Sequence, residues 1–433
     1  MTRATMTHVS PLEALESAWE RSDRLFEILA PEALRARPIA LRQPFLFYMG
    51  HLPAFAWNHL GRGALARRPF DPELDTLFER GIDPPDDSDA DIDDSAWPGA
   101  DAVLAYRDRV RREISRVVDE PAAQPVLPMV LEHELMHHET LLYMLQQLEP
   151  GQKVRPDWLP DTPKGGAAPE RVRVAIPRGP AVLGAPRDGS FRWDNERPER
   201  NVDVAAFRID SVPITNREFR EFVEAGAYRD RRLWSAAAWE WISKRNHQRP
   251  RFWTRAGDET RVGTLFGDVS FDEAASWPAS VMHGEAEAWA RWAGARLPTE
   301  AEFHRAAFGS PDGAAREHPW GSALPGPEHG NFGFRWWSPG PVGAHPRGAS
   351  AFGVHELVGN GWEWTSSVFG PHPGFEPLRR YPGYSADFFD GRHYVMLGAS
   401  WATDAALVRR SFRNWFQPHY PYVFSKFRCV STT

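Results

Sequence analysis

Apolar residues return every three to four positions over 11–28, 45–60, 100–118 and 126–148, the period that turns one face of an α-helix toward a core. Four such stretches predict a helical bundle over residues 1–152. Between the second and third runs Ile82-Asp-Pro-Pro-Asp-Asp-Ser-Asp-Ala-Asp-Ile-Asp-Asp. It has the acidity of a calcium loop but neither the glycine of the sharp turn nor the closing bidentate glutamate, so a solvated acidic loop is expected. The helical period stops near residue 150, and residues 153–170 are rich in Gly, Pro, Asp and Lys, which predicts a linker. Beyond it, over 171–433, come short β-like runs such as 171–176 and 202–209, separated by long loops dense in Gly, Pro and Trp. The clearest helix there is 284–294. Such a domain relies on buried aromatics and hydrogen-bonded loops more than on regular elements.

Composition narrows the partners. A chain of 433 residues exceeds one ordinary core, so two domains are expected. The net charge of -7 offers no basic field for a phosphate backbone, which argues against nucleic acid. The lone cysteine, Cys429, excludes an internal disulfide framework and suits a reducing cytosol. The start, Met1-Thr-Arg-Ala-Thr-Met-Thr-His, lacks the apolar core of a signal peptide, and no stretch approaches the length of a membrane span. A cytoplasmic protein without a membrane partner is the expectation.

The chemistry concentrates in the fourth helical stretch, in His133-Glu-Leu-Met-His137-His138-Glu139. Four residues turn an α-helix by roughly 400°, so His133 and His137 point nearly the same way and can close on one metal ion. With Glu134 the pattern also satisfies the HExxH motif of zinc peptidases, in which the glutamate is the general base. The extended peptidase motif is absent, since Thr140 and Tyr143 stand where its glycine and third histidine would be. A different third ligand lies upstream: His51, after Gly50 in an aromatic and aliphatic segment where an unpartnered imidazole would be costly to bury. Three neutral histidines with open positions suit Fe(II) or Zn(II) and a reaction that needs a vacant coordination place. Glu139 lies about 200° round the helix from His137 and is expected to serve as a hydrogen-bonding support, not a ligand. Glu134 and His138 form another pair about 100° away, expected to be a polar face against the second domain.

His51 with His-x-x-x-His-x-Glu in a helical domain, followed by a Trp-rich domain, resembles the non-heme iron ergothioneine sulfoxide synthases and their selenoneine-forming relatives. The second half carries five further motifs in order: Phe191-Arg-Trp-Asp-Asn-Glu-Arg-Pro, Pro213-Ile-Thr-Asn-Arg-Glu-Phe, Ala290-Arg-Trp-Ala-Gly-Ala-Arg-Leu-Pro-Thr-Glu-Ala-Glu, Leu357-Val-Gly-Asn-Gly-Trp-Glu-Trp-Thr, and Gly398-Ala-Ser-Trp with Arg413-Asn-Trp and Phe427-Arg. These are similar to the formylglycine-generating-enzyme fold. The resemblance implies an α+β protein: a DinB-like four-helix bundle, then a loop-rich, C-type-lectin-like α+β domain. Formylglycine-generating enzymes need a cysteine pair, which this chain lacks.

By the same resemblance, His51, His133 and His137 hold Fe(II), and the substrates are dioxygen and hercynine, the trimethylated betaine of histidine. Asn414 and Trp415 contact the betaine with Tyr384 nearby, and Tyr381 matches the catalytic tyrosine. A quaternary ammonium has no hydrogen-bond donor, so an aromatic face such as that of Trp415 is its natural partner. Two departures bear on the second substrate. Mycobacterial-type members carry an aspartate directly after Asn-Trp and an arginine four places later, which grip γ-glutamylcysteine; here those places hold Phe416 and Tyr420. A glutamine before the second helix histidine is Met136. Without the charged clamp the donor is expected to be free cysteine, another thiol or, by preference, a selenosugar, whose apolar face stacks on flat rings. Phe416 and Tyr420 are thereby expected to be substrate-binding, unless a loop such as the one with Arg80 supplies the clamp.

Overall fold

The computed structural model describes residues 9–79 and 97–432, and the chain divides into two compact units, Met1–Asp157 and Trp158–Thr433. The first eight residues, the acidic run from Ile82 and Arg80 lie outside the described residues. Among the described residues no helix is long and apolar enough to cross a membrane.

The first unit consists of α1 (Pro11–Glu27), α2 (Phe45–Ala56), the short α3 (Pro72–Leu77), α4 (Ala100–Val117) and α5 (Leu127–Gln146). The capping box of Ser10 with Glu13 starts α1, its proline sits in the first turn, and such a cap contributes about 1 kcal/mol. Its buried positions, Leu15, Ala18, Trp19, Ser22 and Leu25, are the inward stripe of one helix face. In α4 the stripe is Val103, Tyr106, Val110, Ile114 and Val117. Every residue of α2 is buried, as expected of a helix apolar all round. It packs on α4 and α5, while α1 packs on α5. Past α2 the chain continues as a π-helical stretch, Trp57–Ala64. The four long stretches expected from the apolar period are thus the four long helices.

The second unit carries twelve strands and five helices among the described residues. In chain order they are β1 (Arg173–Ile176), β2 (Gly179–Leu183), β3 (Arg200–Val204), β4 (Phe207–Asp210), α6 (Asn216–Glu224), α7 (Ala236–Lys244), β5 (Trp253–Ala256), β6 (Glu259–Thr264), β7 (Gly267–Ser270), α8 (Phe271–Ala274), α9 (His283–Trp292), α10 (Glu300–Phe308), β8 (Gly361–Val368), β9 (Tyr394–Ala399), β10 (Asn414–Phe416), β11 (Ser425–Lys426) and β12 (Val430–Thr432). They form four small sheets, ordered β1-β4-β12, β10-β9-β8-β11, β2-β3 and β5-β6-β7. The α+β class therefore holds for the chain as a whole.

Two local expectations need correction. The run 202–209 is not one strand: β3 pairs with β2 and β4 with β1, so the chain changes sheet between them. Helices are also more frequent than the sequence pattern suggested, because α6 and α10 are started by capping boxes, Thr215 with Glu218 and Thr299 with Glu302. The core gathers Ile176, Leu183, Phe207, Ile209, Phe303, Leu397 and Val430, with Trp415 packed at its edge. Fully buried Glu363 and Arg428 pair beside it, and Arg428 also donates to the carbonyls of Asp210 and Glu356, so the buried charges are satisfied on several sides.

Candidate metal centre

On α2 and the turn after it, Phe47, His51, Phe55 and His59 recur at intervals of four, so their rings form one ladder along the helix. His51 stacks on Phe47 with centroids 5.0 Å apart, and Phe55 stacks on His133 of α5 at 3.4 Å and 3°. His51 Nδ1 lies 2.8 Å from the carbonyl oxygen of Phe78, and His137 Nδ1 2.9 Å from that of His133. A carbonyl only accepts, so both Nδ1 atoms carry the proton and both Nε2 atoms are left with a lone pair. His51, His133 and His137 each offer one ligand atom, and these atoms lie within 4.8 Å of one another. Two helices and two backbone carbonyls thus converge three imidazoles on one point.

Burial fixes their charge state. Desolvation lowers His51 to about 4 and His137 to about 3, and, with repulsion from its two neighbours, holds His133 well below its ordinary value. All three are neutral at pH 7 and need lose no proton to bind a cation. The donor set, three neutral nitrogens oriented by carbonyl hydrogen bonds, fits Fe(II) or Zn(II) with open positions.

The neighbouring carboxylate does not join them. Glu134 is buried, and its Oε1 accepts from the hydroxyl of Ser22 on α1 at 2.5 Å, while His138 Nε2 lies 2.9 Å from that Ser22 Oγ. The polar face expected to meet the second domain is instead buried inside the bundle, against α1. Glu134 is held toward Ser22, about 100° round the helix from the metal-facing histidines, and so is not placed as the general base of a zinc peptidase. Sequence reasoning missed Phe47, Phe55 and the Phe78 carbonyl; the interval of four on α2 was the signal for the first two.

Gly50 explains how Phe78 reaches His51. A Cβ at position 50 would lie 2.5 Å from the Phe78 ring, so only glycine lets that ring seat against α2. Gly50→Ala is therefore expected to push Phe78 away, costing about 1 to 3 kcal/mol from overpacking. Iron affinity is expected to drop about tenfold or more as the His51 support is lost. Thermal melting and a chelator competition check the two effects, and unchanged affinity would detach the Phe78 carbonyl from the centre.

In the second unit the remaining candidates fall into two aromatic groups. Trp415, on β10, stacks on Phe369 at 4.3 Å and 6°, with Tyr384 edge-on at 5.5 Å and Phe388 tilted at 5.5 Å. Tyr384 in turn stacks on Trp193 at 3.9 Å, and Tyr381 lies 5.8 Å from it. Asn414 Oδ1 accepts from the Trp415 amide at 2.9 Å. Both tyrosines and Trp415 are half-buried. The second group is Phe416 and Tyr420, stacked at 4.9 Å and 17°, with Tyr422 edge-on to Tyr420 at 5.0 Å. Arg251 lies over the Tyr422 ring, 5.4 Å from its centroid.

Comparison with known proteins agrees with this division. Residues 14–141 match the DinB superfamily model, and residues 160–433 the sulfatase-modifying factor enzyme 1-like domain. A hercynine oxygenase of Mycolicibacterium thermoresistibile is 37% identical, over 99% of this chain and 96% of that protein. That of Mycolicibacterium smegmatis is also 37% identical, over 96% of this chain and 97% of its own. Ergothioneine biosynthesis protein 1 of Neurospora crassa is 32% identical over 99% of this chain, which spans 58% of that longer protein. With both domain models in order and relatives aligned nearly end to end, the chain belongs to the hercynine oxygenase family, a DinB-superfamily domain joined to a sulfatase-modifying-factor-like domain.

Proposed function

We propose that the chain is a non-heme Fe(II), O2-dependent oxidoreductase that modifies hercynine, and that it joins selenium from a selenosugar to C2 of the hercynine imidazole, making it a selenoneine synthase. The observation that carries the enzymatic reading is the convergence of the His51, His133 and His137 ligand atoms within 4.8 Å. Fe(II) held there supplies dioxygen activation and a place for the substrate's imidazole. The C2–H and selenol Se–H bonds are exchanged for a C2–Se bond, and dioxygen takes up the four electrons, one oxygen atom ending on selenium and the other leaving with the two hydrogens as water.

The chain's own residues do the rest. Trp415 and Tyr384 take the trimethylammonium on aromatic faces, each good contact contributing about 0.5 to 2 kcal/mol. Asn414 contacts the betaine beside Trp415, its Oδ1 also accepting from the Trp415 main-chain amide. Tyr381 is the proton donor, its hydroxyl holding the proton until the reaction takes it. Phe416 and Tyr420 bind the donor: the half-buried Phe416 ring, backed by buried Tyr420 at 4.9 Å, offers a flat apolar surface in place of the charged clamp, which favours a neutral sugar over a charged thiol.

The name of one relative, ergothioneine biosynthesis protein 1, favours ergothioneine over selenoneine, and with it a second reading in which the chain is a sulfoxide synthase using cysteine or another thiol. Oxygen uptake and product mass separate the two. The Fe(II)-loaded protein is given hercynine with a selenol-bearing pyranose, with cysteine or with γ-glutamylcysteine. Highest kcat/KM with the selenosugar supports the proposal, turnover with cysteine alone moves the chain to sulfur, and no hercynine-dependent uptake with any donor sinks both.

A further inference from the structure

Asp194 is buried, 3% exposed, at the start of the single 3-10 turn Asp194–Glu196 of the second unit. A carboxylate there must be met by donors or it destabilises the fold. The donors are the amide of Leu378, 3.3 Å from Oδ2, and the hydroxyl of Ser385, which bonds Oδ1. Ser385 is fully buried. These two residues are the ends of the segment 378–385, which carries both Tyr381 and Tyr384. Within it the chain makes single turns, the Tyr381 amide bonding the Leu378 carbonyl at 3.1 Å and the Tyr384 amide the Tyr381 carbonyl at 3.2 Å. One carboxylate therefore pins both ends of the tyrosine segment.

The residues on either side of Asp194 extend the grip. Trp193, fully buried, is the platform on which Tyr384 stacks at 3.9 Å. The carbonyl of Asn195 accepts from Arg413 Nη1 at 3.0 Å, directly before Asn414 and Trp415. Glu196 takes the Ser411 hydroxyl at 2.6 Å and pairs with Arg409. A single turn thus ties the tyrosine segment to the chain that leads into β10, and Tyr384 meets Trp415 edge-on at 5.5 Å across that tie.

We propose that Asp194 is a positioning residue: through Leu378 and Ser385 it sets Tyr384, and with it Tyr381, against Trp415 for hercynine. The inference rests on the proposed role of Tyr384 and Trp415 in binding the betaine. A misplacement of about 1 Å in a site of this kind costs up to about a hundredfold. Asp194 adds no group to the substrate itself, so its effect travels only through the tyrosines.

The test compares KM for hercynine, kcat, iron content and melting temperature in five variants of the full chain. Asp194→Ala is expected to raise KM or lower kcat about tenfold to a hundredfold with iron content unchanged. Asp194→Asn is expected to recover most of the activity, because its amide oxygen can accept from Leu378 while its NH2 donates to Ser385. Ser385→Ala, which removes one bond only, shifts the same constants less and remains readable if Asp194→Ala fails to fold. In a Tyr384→Ala background Asp194→Ala is expected to have no further effect on hercynine KM. A lower melting temperature with unchanged constants, or additive effects in the double variant, would overturn the proposal. Tyr384→Ala with unchanged hercynine KM would sink the betaine assignment and this inference with it. A large Tyr384→Ala effect beside a silent Asp194→Ala would sink the inference alone.

Discussion

Replacing His51 with Ala is expected to abolish hercynine-dependent oxygen uptake and to strip the chain of stoichiometric iron. His51 is the one ligand contributed by α2; without it the remaining pair, His133 and His137, stands on a single helix four residues apart. Two nitrogens one turn apart bind a divalent ion weakly and fix none of its remaining positions. The substitution also orphans the buried Phe78 carbonyl, which loses its partner at 2.8 Å, at a cost of about 1 to 3 kcal/mol. Some loss of stability is therefore expected alongside the loss of metal, and the two must be separated. His138→Ala is the control: it lies next to a ligand in sequence but bonds Ser22, so it should destabilise the bundle and leave iron in place. Colorimetric iron after anaerobic loading and desalting reads the centre directly, with circular dichroism to confirm the fold. Retained iron and turnover in the His51 variant would remove it from the ligand set.

Much of this arrangement was written in local sequence. The intervals that place His133 with His137, and Leu15 with Ala18, Trp19 and Ser22, depend only on helix pitch, which the chain announces over a dozen residues. The same logic could have gone further: Phe47, His51, Phe55 and His59 are a visible ladder, and Thr215-x-x-Glu218 and Thr299-x-x-Glu302 are visible helix starts. Glu134 and His138 were misjudged because pitch gives an angle about the axis but not what stands opposite, and what stands opposite is Ser22, more than a hundred residues earlier. The sheet change between β3 and β4 has the same origin, since strand partners are chosen across the fold. Asp194 shows it most sharply: it stands in the first of the five motifs of the second half, yet its partners Leu378 and Ser385 lie more than 180 residues later. The five ordered motifs of the second half implied that fold by resemblance, where periodicity alone offered few elements.

Exchanging Phe416 for Asp together with Tyr420 for Arg is expected to turn the donor preference toward γ-glutamylcysteine. The two rings lie parallel at 4.9 Å, so groups at these positions face one another closely enough for an acid and a guanidinium to pair. Either charge alone would be poorly placed: Tyr420 is only 5% exposed, and a lone guanidinium there would lack a counter-ion. The pair together is compensated when the site is empty, and it can open toward a zwitterion that brings both an ammonium and carboxylates. Charge-assisted hydrogen bonds of this kind contribute about 1.5 to 3 kcal/mol, so the ratio of kcat/KM for γ-glutamylcysteine over the selenosugar should rise about tenfold to a hundredfold. The gain should be non-additive, with each single variant poorer than the parent toward both donors. Competition of the two donors in one vessel, read by product mass, measures the ratio without separate KM values. An unchanged ratio in an iron-loaded, folded double variant would show that donor choice is made elsewhere, and the stack of Phe416 on Tyr420 would then be packing alone.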